Sequence, residues 1–542
     1  MDAYTELAAR SRATPQSEAA DPRQVRNNAG GFTFALDPLA QARRFLILGS
    51  DAPTFYQQAR ELTAENAKVI TSLVGDPELG VKLVEMIVDV STRALAPRTQ
   101  PALFALALAS TRGAPEVRAA ANAALLAVAR TGTHLLTFVK YADALGGWGR
   151  GRRRAVSSWY LDKTVDDLAY QVAKYRQRDG CSHRDVLRLA HPKTAESERR
   201  AVFDWITGHE VGAAPLPRIL DDFAQAQKEP GSVLALLKGG SPLSWEMLPD
   251  EALADRRVWD ALLDNRSLPA TALMRQLPRL TRLGVIGPLG AGRTAEIAAL
   301  LQNETRLKKG RIHPLQVLIA HKTYANGVGR GGRDWTPVTA IVDALDAAFY
   351  KAFESAEPAG KRTLIGLDVS GSMDAHTDPS GILTAREVGA AMALVTTATE
   401  PGSEVYGFTS KSGRGYGFGS DSAFTPLNIS PRQRLNDVIS SVSHLPFGAT
   451  DCSMPMREAE KNGWEVDTFV VITDNETWAG PEHPHQALKN YRRATGIPAK
   501  LVVLSVTATP FSIADPSDAG MLDVVGFGSD VPTLVTDFSR GW

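Results

Sequence analysis

The chain has 542 residues, 44% of them hydrophobic and 22% charged. That length exceeds a single hydrophobic core and implies roughly two to four domains. The 60 Lys and Arg balance the 60 Asp and Glu, which excludes binding of nucleic acid through total charge but leaves local patches open.

Residues 1–30 are polar and Ala/Ser-rich, and read as a flexible tail. Met1–Gln24 lacks the apolar core of a signal peptide. No apolar run along the chain approaches the ~18 residues of a membrane span. The two cysteines, Cys181 and Cys452, are far apart. They give no disulfide framework and no zinc site, and fit a reducing cytoplasm.

From Leu39 to Phe353 the chain is rich in Ala and Leu, with helical periodicity and short breaks. PALFALALAS, PEVRAAANAALLAVARTG and THLLTFVKYADALGG predict three successive helices, with Thr133 capping the third. VWDALLDN, PATALMRQLPRLTRL, RTAEIAALLQN, HPLQVLIAHKTY and PVTAIVDALDAAFYKAFESA continue the style. Helix pairs joined by short breaks suggest an α-solenoid of degenerate repeats, with an irregular helical domain as the alternative.

Within this half, Trp148–Lys193 holds eleven Lys/Arg against five Asp. Such a local excess is an electrostatic footprint for phosphate. Arg150, Arg152, Arg153 and Arg154 are expected in or beside a Gly-rich loop. Lys174, Arg176 and Arg178 follow at a helix end. His183 and Arg184 open the next helix, capped by Ser182, where a phosphate would be favoured. A solvated basic face paired with its own aspartates is the competing reading. RLKKGRIH adds Arg306, Lys308, Lys309, Arg311 and His313. GPLGAGRT (Gly287–Thr294) has phosphate-loop spacing, but no strand precedes it and Arg293 stands where lysine belongs. It reads as a loop, with Thr294 capping the next helix.

After Glu357–Arg362 the texture changes. TLIGLDV, SEVYGFTS, DTFVVITD and AKLVVLSV are β-branched apolar runs alternating with helical segments. That pattern predicts a doubly wound α/β domain around a parallel sheet. Ligands in such sheets sit at the carboxyl ends of the strands. Asp368, Ser370 and Ser372 fall there, as do Thr450 in a GATD loop and Asp474. All five offer oxygen, which suits a hard divalent cation, magnesium first, with manganese or calcium as alternatives. Mutual hydrogen bonding that ties the loops down is the competing reading. Ser410–Phe424, a Gly/Ser-rich stretch with Arg414, Tyr416 and Phe418, reads as a surface loop. EHPHQ (Glu482–Gln486) reads as the start of a helix rather than a metal site. No Ser-His-Asp, Cys-His or paired acid/base constellation appears, so an enzyme is not expected.

Asp-x-Ser-x-Ser, then Thr, then Asp, on an α/β pattern, resembles the von Willebrand factor A fold with its metal-ion-dependent adhesion site. FGATDCSMPM, FVVITDNETWAG, HPHQALKNYRRATGIPAKLVV and FSIADPSDAGMLDVVGF around it are similar to the C-terminal domain of the Ro autoantigen family. RRFLILGSD, PALFALALAS, GTHLLTFV and KYRQRDGCSHRDVLRLAH resemble the family's TROVE module. The likeness runs over residues 32–542 and points to bacterial Ro-sixty-related ribonucleoproteins.

The resemblance implies a mainly α fold, with HEAT-like helical repeats (31–358) closed into a ring by a von Willebrand factor A domain (359–542). It also implies a non-catalytic scaffold. Y RNA would bind outside, on the basic segment that includes His183. Single-stranded 3′ ends of misfolded RNA would enter the central hole. A 3′-to-5′ exoribonuclease would be a partner in RNA quality control and stress recovery, with no membrane involved. A metal-dependent protein-adhesion scaffold without RNA is the rival.

Overall fold

The computed structural model describes residues 13–49, 59–178, 180–212, 214–329, 331–353, 356–377, 381–409, 424–443 and 448–541. The Ser410–Phe424 loop lies outside them, except for Phe424.

The first half is helical from Pro38 to Lys351. Helix starts follow a repeated local logic. Asp76 caps the Pro77–Thr92 helix, its carboxylate accepting from the Glu78 and Leu79 amides, and Pro77 occupies the first turn, where its missing N–H does no harm. The helix expected to begin at Thr133 starts at Gly132, and its cap is Thr131, whose hydroxyl accepts from the His134 amide. Helices stack on their next-but-one neighbours. Pro77–Thr92 packs on Pro115–Val128, and Gln100–Arg112 on Gly132–Gly146. This gives two layers, with the Gln100–Arg112 helix buried nearly all round between its neighbours and an apolar stripe of Pro77–Thr92 turned inward. Among the described residues, four short strands belong to this half of the sequence: β1 (Gln24–Arg26), β2 (Phe32–Ala35), β3 (Gln177–Arg178) and β4 (Cys181–Ser182).

The second half is built on a six-stranded sheet. In chain order its strands are β5 (Thr363–Asp368), β6 (Ser403–Phe408), β7 (Phe424–Leu427), β8 (Thr468–Thr473), β9 (Lys500–Ser505) and, after the separate short strand β10 (Phe511–Ser512), β11 (Met521–Val525). The large sheet runs β11-β9-β8-β5-β6-β7, parallel except for β7, which is antiparallel to β6. Every residue of β5 and β8 is buried, as a sheet covered on both faces requires. The chain leaves β5 toward β6, then returns to the other side of β5 with β8. The carboxyl ends of β5 and β8 therefore flank the topological switch point, where α/β folds bind ligands.

Residues 13–30 are not a tail. β1, β2 and β10 form a three-stranded antiparallel sheet, so the N-terminal segment pairs with a strand of the C-terminal domain. The Gln16 side chain donates to Asp451 and to the Glu482 carbonyl, both at 2.8 Å. Asn27 donates to the Thr477 carbonyl at 2.7 Å. Polar composition here serves buried polar partners, which composition alone cannot separate from solvation.

Both ends of the helical half meet the α/β domain. At one end, buried Arg44 pairs with Asp523 at 2.6 Å and Arg93 with Asp530 at 3.0 Å. At the other, Lys322 pairs with Glu387 at 2.5 Å, and Asp346 accepts from the Leu435 amide at 2.9 Å. The two ends also touch directly, the Gln316 amide donating to the Pro97 carbonyl at 2.8 Å.

Candidate functional site

The five oxygen-bearing residues converge at the switch point. Asp368 ends β5, Ser370 and Ser372 follow in the turn after it, and Asp474 follows β8. Thr450 lies between the Leu435–Ser443 and Met454–Asn462 helices. All five are buried. Asp368 accepts from the Ser370 amide at 2.9 Å, and the two serine hydroxyls lie 3.1 Å apart. The Gly448 carbonyl accepts from the Gly371 amide, drawing the Thr450 loop against the first turn.

Burial pushes both carboxyls up, and the Asp368 charge pushes Asp474 further. Two facing carboxylates in a dry site cannot both ionise without a compensating cation. Among the described residues no group of three or more His, Cys, Asp or Glu forms a metal cluster. The two carboxylates and three hydroxyls fit a hard divalent ion by donor chemistry, with hydroxyl oxygens in place of further acids.

Sequence reasoning missed the supporting residues. Thr473 donates to the second Asp368 oxygen at 2.7 Å. Asn475 adopts a left-handed conformation, φ 66°, and donates to Ser505 at 2.9 Å. Ser505 also accepts from Arg44 at 2.7 Å, so the loop is tied to the helical half. Glu476 is held by Asn28 and the Ala29 amide. A Cβ at Gly31 would lie 2.0 Å from the Thr477 carbonyl, so the N-terminal segment can press on this loop only as glycine. Polar TDNET after an apolar strand was the one signal in the sequence; the distant partners left none.

The basic segment is divided by the fold. Arg150, Arg152, Arg153 and Arg154 occupy the first turns of the Arg150–Leu161 helix, beside the Gly-rich stretch that ends at Gly149. Arg150, Arg153 and Arg154 are exposed, as are Arg176, Arg178 and Arg184. Arg176 lies over the Phe223 ring at 5.4 Å.

Three expectations need correction. Arg152 is buried and bonds to the Ser110 hydroxyl and carbonyl. His183 is 2% exposed, bonded to the Tyr160 hydroxyl at 2.8 Å and stacked on Trp159. Burial lowers its pKa to about 4, so it is neutral near pH 7. The Lys174 side chain is 6% exposed and paired with Glu246 at 3.3 Å. Ser182 does cap the His183–Ala190 helix, in a reciprocal box with Asp185. That carboxylate already occupies the helix N-terminus, which removes the reason for a phosphate there.

A second basic surface lies between the two ends of the helical half. A cavity of about 460 Å³ is walled by Arg98 and Arg130 on one side and Lys309 and Arg311 on the other. Burial, with Arg311 nearby, lowers the Arg130 pKa to about 10. Of RLKKGRIH, then, Lys309 and Arg311 face this cavity. Arg306 bonds to the Leu268 carbonyl, and buried His313 caps the Pro314–Asn326 helix through Nδ1. Arg293 pairs with Asp264 at 2.8 Å and Glu296 at 2.6 Å, as a loop residue rather than a phosphate-binding one. Thr294 ties its own loop through Gly287 and Ala291 and makes no cap bond. His483 caps the Pro484–Thr495 helix and bonds to the Glu18 carbonyl at 2.8 Å.

A profile described as the Ro60 vWA domain matches residues 362–539, and one described as the TROVE domain matches 25–212 and 235–331. The chain is 41% identical over 536 residues to the RNA-binding protein RO60 of Deinococcus radiodurans, covering 97% of each. It is 34% identical over 609 residues to the RNA-binding protein RO60 of Caenorhabditis elegans, covering 97% of this chain and 91% of that one. The crystal structure of the Deinococcus radiodurans RO (RSR) protein aligns with a TM-score of 0.70 at 40% identity, over 93% of this chain and 100% of that one.

Proposed function

The chain belongs to the Ro60 family, and from that premise we propose that it is a non-catalytic RNA-binding scaffold. The observation that carries this is a pair of basic surfaces on one neutral chain. One is exposed, with Arg150, Arg153, Arg154, Arg176, Arg178 and Arg184. The other lines an open cavity between the two ends of the helical half, with Arg98, Arg130, Lys309 and Arg311. The contacts that the helical half makes at both ends support its closure into a ring of HEAT-like repeats. A Y RNA binds the outer surface, and the single-stranded 3′ end of a misfolded or fragmentary RNA enters the cavity. A 3′-to-5′ exoribonuclease takes RNA from this complex in quality control and stress recovery, in the cytoplasm.

Asp368, Ser370, Ser372, Thr450 and Asp474 would hold a divalent cation, magnesium first, with manganese or calcium as alternatives. A bound cation there supplies positive charge to an acidic group of a partner protein. Among the described residues no helix is long and apolar enough to cross a membrane.

The test separates the surfaces. Serine at Arg150, Arg153, Arg154, Arg176 and Arg184 weakens binding of structured RNA and flattens its salt dependence, by about 0.7–0.9 in log–log slope for each phosphate no longer neutralised. Serine at Arg130, Lys309 and Arg311 weakens single-stranded binding instead. Unchanged affinity and slope in both variants would overturn the assignment. A second reading, a metal-dependent protein-adhesion scaffold, is favoured by the buried Asp368–Asp474 pair alone. It predicts gently purified protein free of nucleic acid, read from the ratio of absorbance at 260 and 280 nm.

A further inference from the structure

Beside the basic cavity lies a second one, of about 520 Å³. It forms where the end of the Pro38–Leu48 helix, the Ala270–Arg282 and Pro314–Asn326 helices and the loops after β5, β9 and β11 come together. Its walls are mostly apolar, including Ile47, Met274, Ile319, Ala320, Tyr324 and Phe527. Pro97, Arg98, Thr271 and Gln316 line both cavities. The two spaces therefore adjoin across the Gln316–Pro97 hydrogen bond. Polar groups are the minority in the second. Arg98, Arg275, His313, Gln316 and His376 lie in its wall, with the Thr271, Thr323 and Thr377 hydroxyls. Thr507, also in the wall, donates to the Asp474 carbonyl at 3.1 Å.

The pairing of environments matches one kind of ligand. A basic cavity suits a phosphodiester backbone. A mostly apolar one, with the Tyr324 and Phe527 rings and several threonine hydroxyls, suits a base, whose flat face is apolar and whose edge needs a few hydrogen bonds. The volume lies within the usual range of small-molecule sites, about 300–1,000 Å³. A strand running through the basic cavity meets this chamber next.

We propose that the apolar chamber receives the terminal nucleotide of a single strand whose phosphates lie in the adjoining basic cavity. The base packs among Met274, Ile319, Tyr324 and Phe527, and its edge meets Thr271 and Thr323. Arg275 holds the last phosphate. The proposal rests on the RNA-binding reading above and deepens it, because the protein then distinguishes a free end from an internal stretch. A free mononucleotide offers the same chemistry, so the experiment must separate the two.

The experiment measures fluorescence anisotropy with three labelled single-stranded RNAs of one sequence: linear, linear with an abasic 3′ nucleotide, and circular. The full chain binds the first about tenfold more tightly than the other two, a difference the size of one base-stacking interaction. Ala320→Trp, which fills the chamber, removes that preference and leaves the weaker binding common to all three. Arg275→Ser, on an exposed side chain, reduces the preference without filling the space. Equal affinity of the unaltered protein for all three RNAs overturns the proposal, as does a preference that survives both variants. If serine at Arg130, Lys309 and Arg311 also leaves every affinity unchanged, the RNA reading of the cavity has failed as well. AMP binding that Ala320→Trp abolishes, without any linear-over-circular preference, assigns the chamber to a free mononucleotide and overturns the strand-end proposal.

Discussion

Arg44 and Asp523 join the helical half to the sheet, and removing them one at a time has unequal effects. The Arg44 guanidinium is 0% exposed, whereas the Asp523 side chain is 18% exposed. Arg44 donates to both Asp523 oxygens, at 2.6 and 2.7 Å, and to Ser505. It also donates to the Thr509 and Phe511 carbonyls, at 3.1 and 2.9 Å. Asp523→Ala leaves a fully buried cation facing only neutral oxygens, which costs about 3–5 kcal/mol. Arg44→Ala leaves a carboxylate that reaches water and still accepts from the Ser505 and Ser512 hydroxyls. That change costs about 2 kcal/mol, mainly in lost hydrogen bonds. Hydrogen exchange over Pro38–Leu48 and β10 reads the local opening. The difference of about 1–3 kcal/mol means that Asp523→Ala opens this junction about five- to 150-fold more than Arg44→Ala. Equal opening, or more opening in Arg44→Ala, would refute the claim that burial of the cation dominates.

Further outcomes are expected elsewhere. His183, with its pKa lowered from 6.5 to about 4 by burial, stays neutral in the native state while the unfolded chain takes up a proton below about pH 6.5. Its stability contribution is therefore full above that pH and falls away toward pH 4, by about 3 kcal/mol in all. Urea titrations at pH 7 and pH 5 detect this, and His183→Gln shows a smaller difference between the two. Magnesium raises the melting temperature of the unaltered protein and not of Asp474→Asn; an equal rise in both rules out Asp474 as a ligand. Gly31→Ala, whose Cβ meets the Thr477 carbonyl, speeds amide exchange at residues 13–35 and 474–479, and unchanged exchange there removes the argument from close approach.

The strands of the large sheet were legible because β5, β8 and β9 are apolar runs buried from both sides. The convergence of Asp368 and Asp474 followed from placing those strands in parallel. Charge was the least legible quantity. Arg152, Lys174 and His183 look alike in sequence to their exposed neighbours. Ser110, which holds Arg152, and Tyr160, which holds His183, lie 42 and 23 residues away, and no local pattern announces them. The helix cap moved from Thr133 to Thr131 because two threonines flank Gly132, and only backbone geometry chooses between them. Residues 13–30 were misread for a related reason. Their hydrogen-bond partners lie more than 400 residues downstream, and a polar segment with remote partners has the composition of an unstructured one.

The β1-β2-β10 sheet sets a timetable for synthesis. Arg44 and its acceptor Thr509 are 465 residues apart. At a translation rate of about 5–20 residues per second, the ribosome needs roughly 20–90 s to connect them. Throughout that interval β2 lacks its β10 neighbour, and the helical half has nothing to close against. β1 and β2 are thus translated long before β10, the strand that completes their sheet. A ribosome that stops short of Phe511 therefore leaves damage at β2, far upstream of the break.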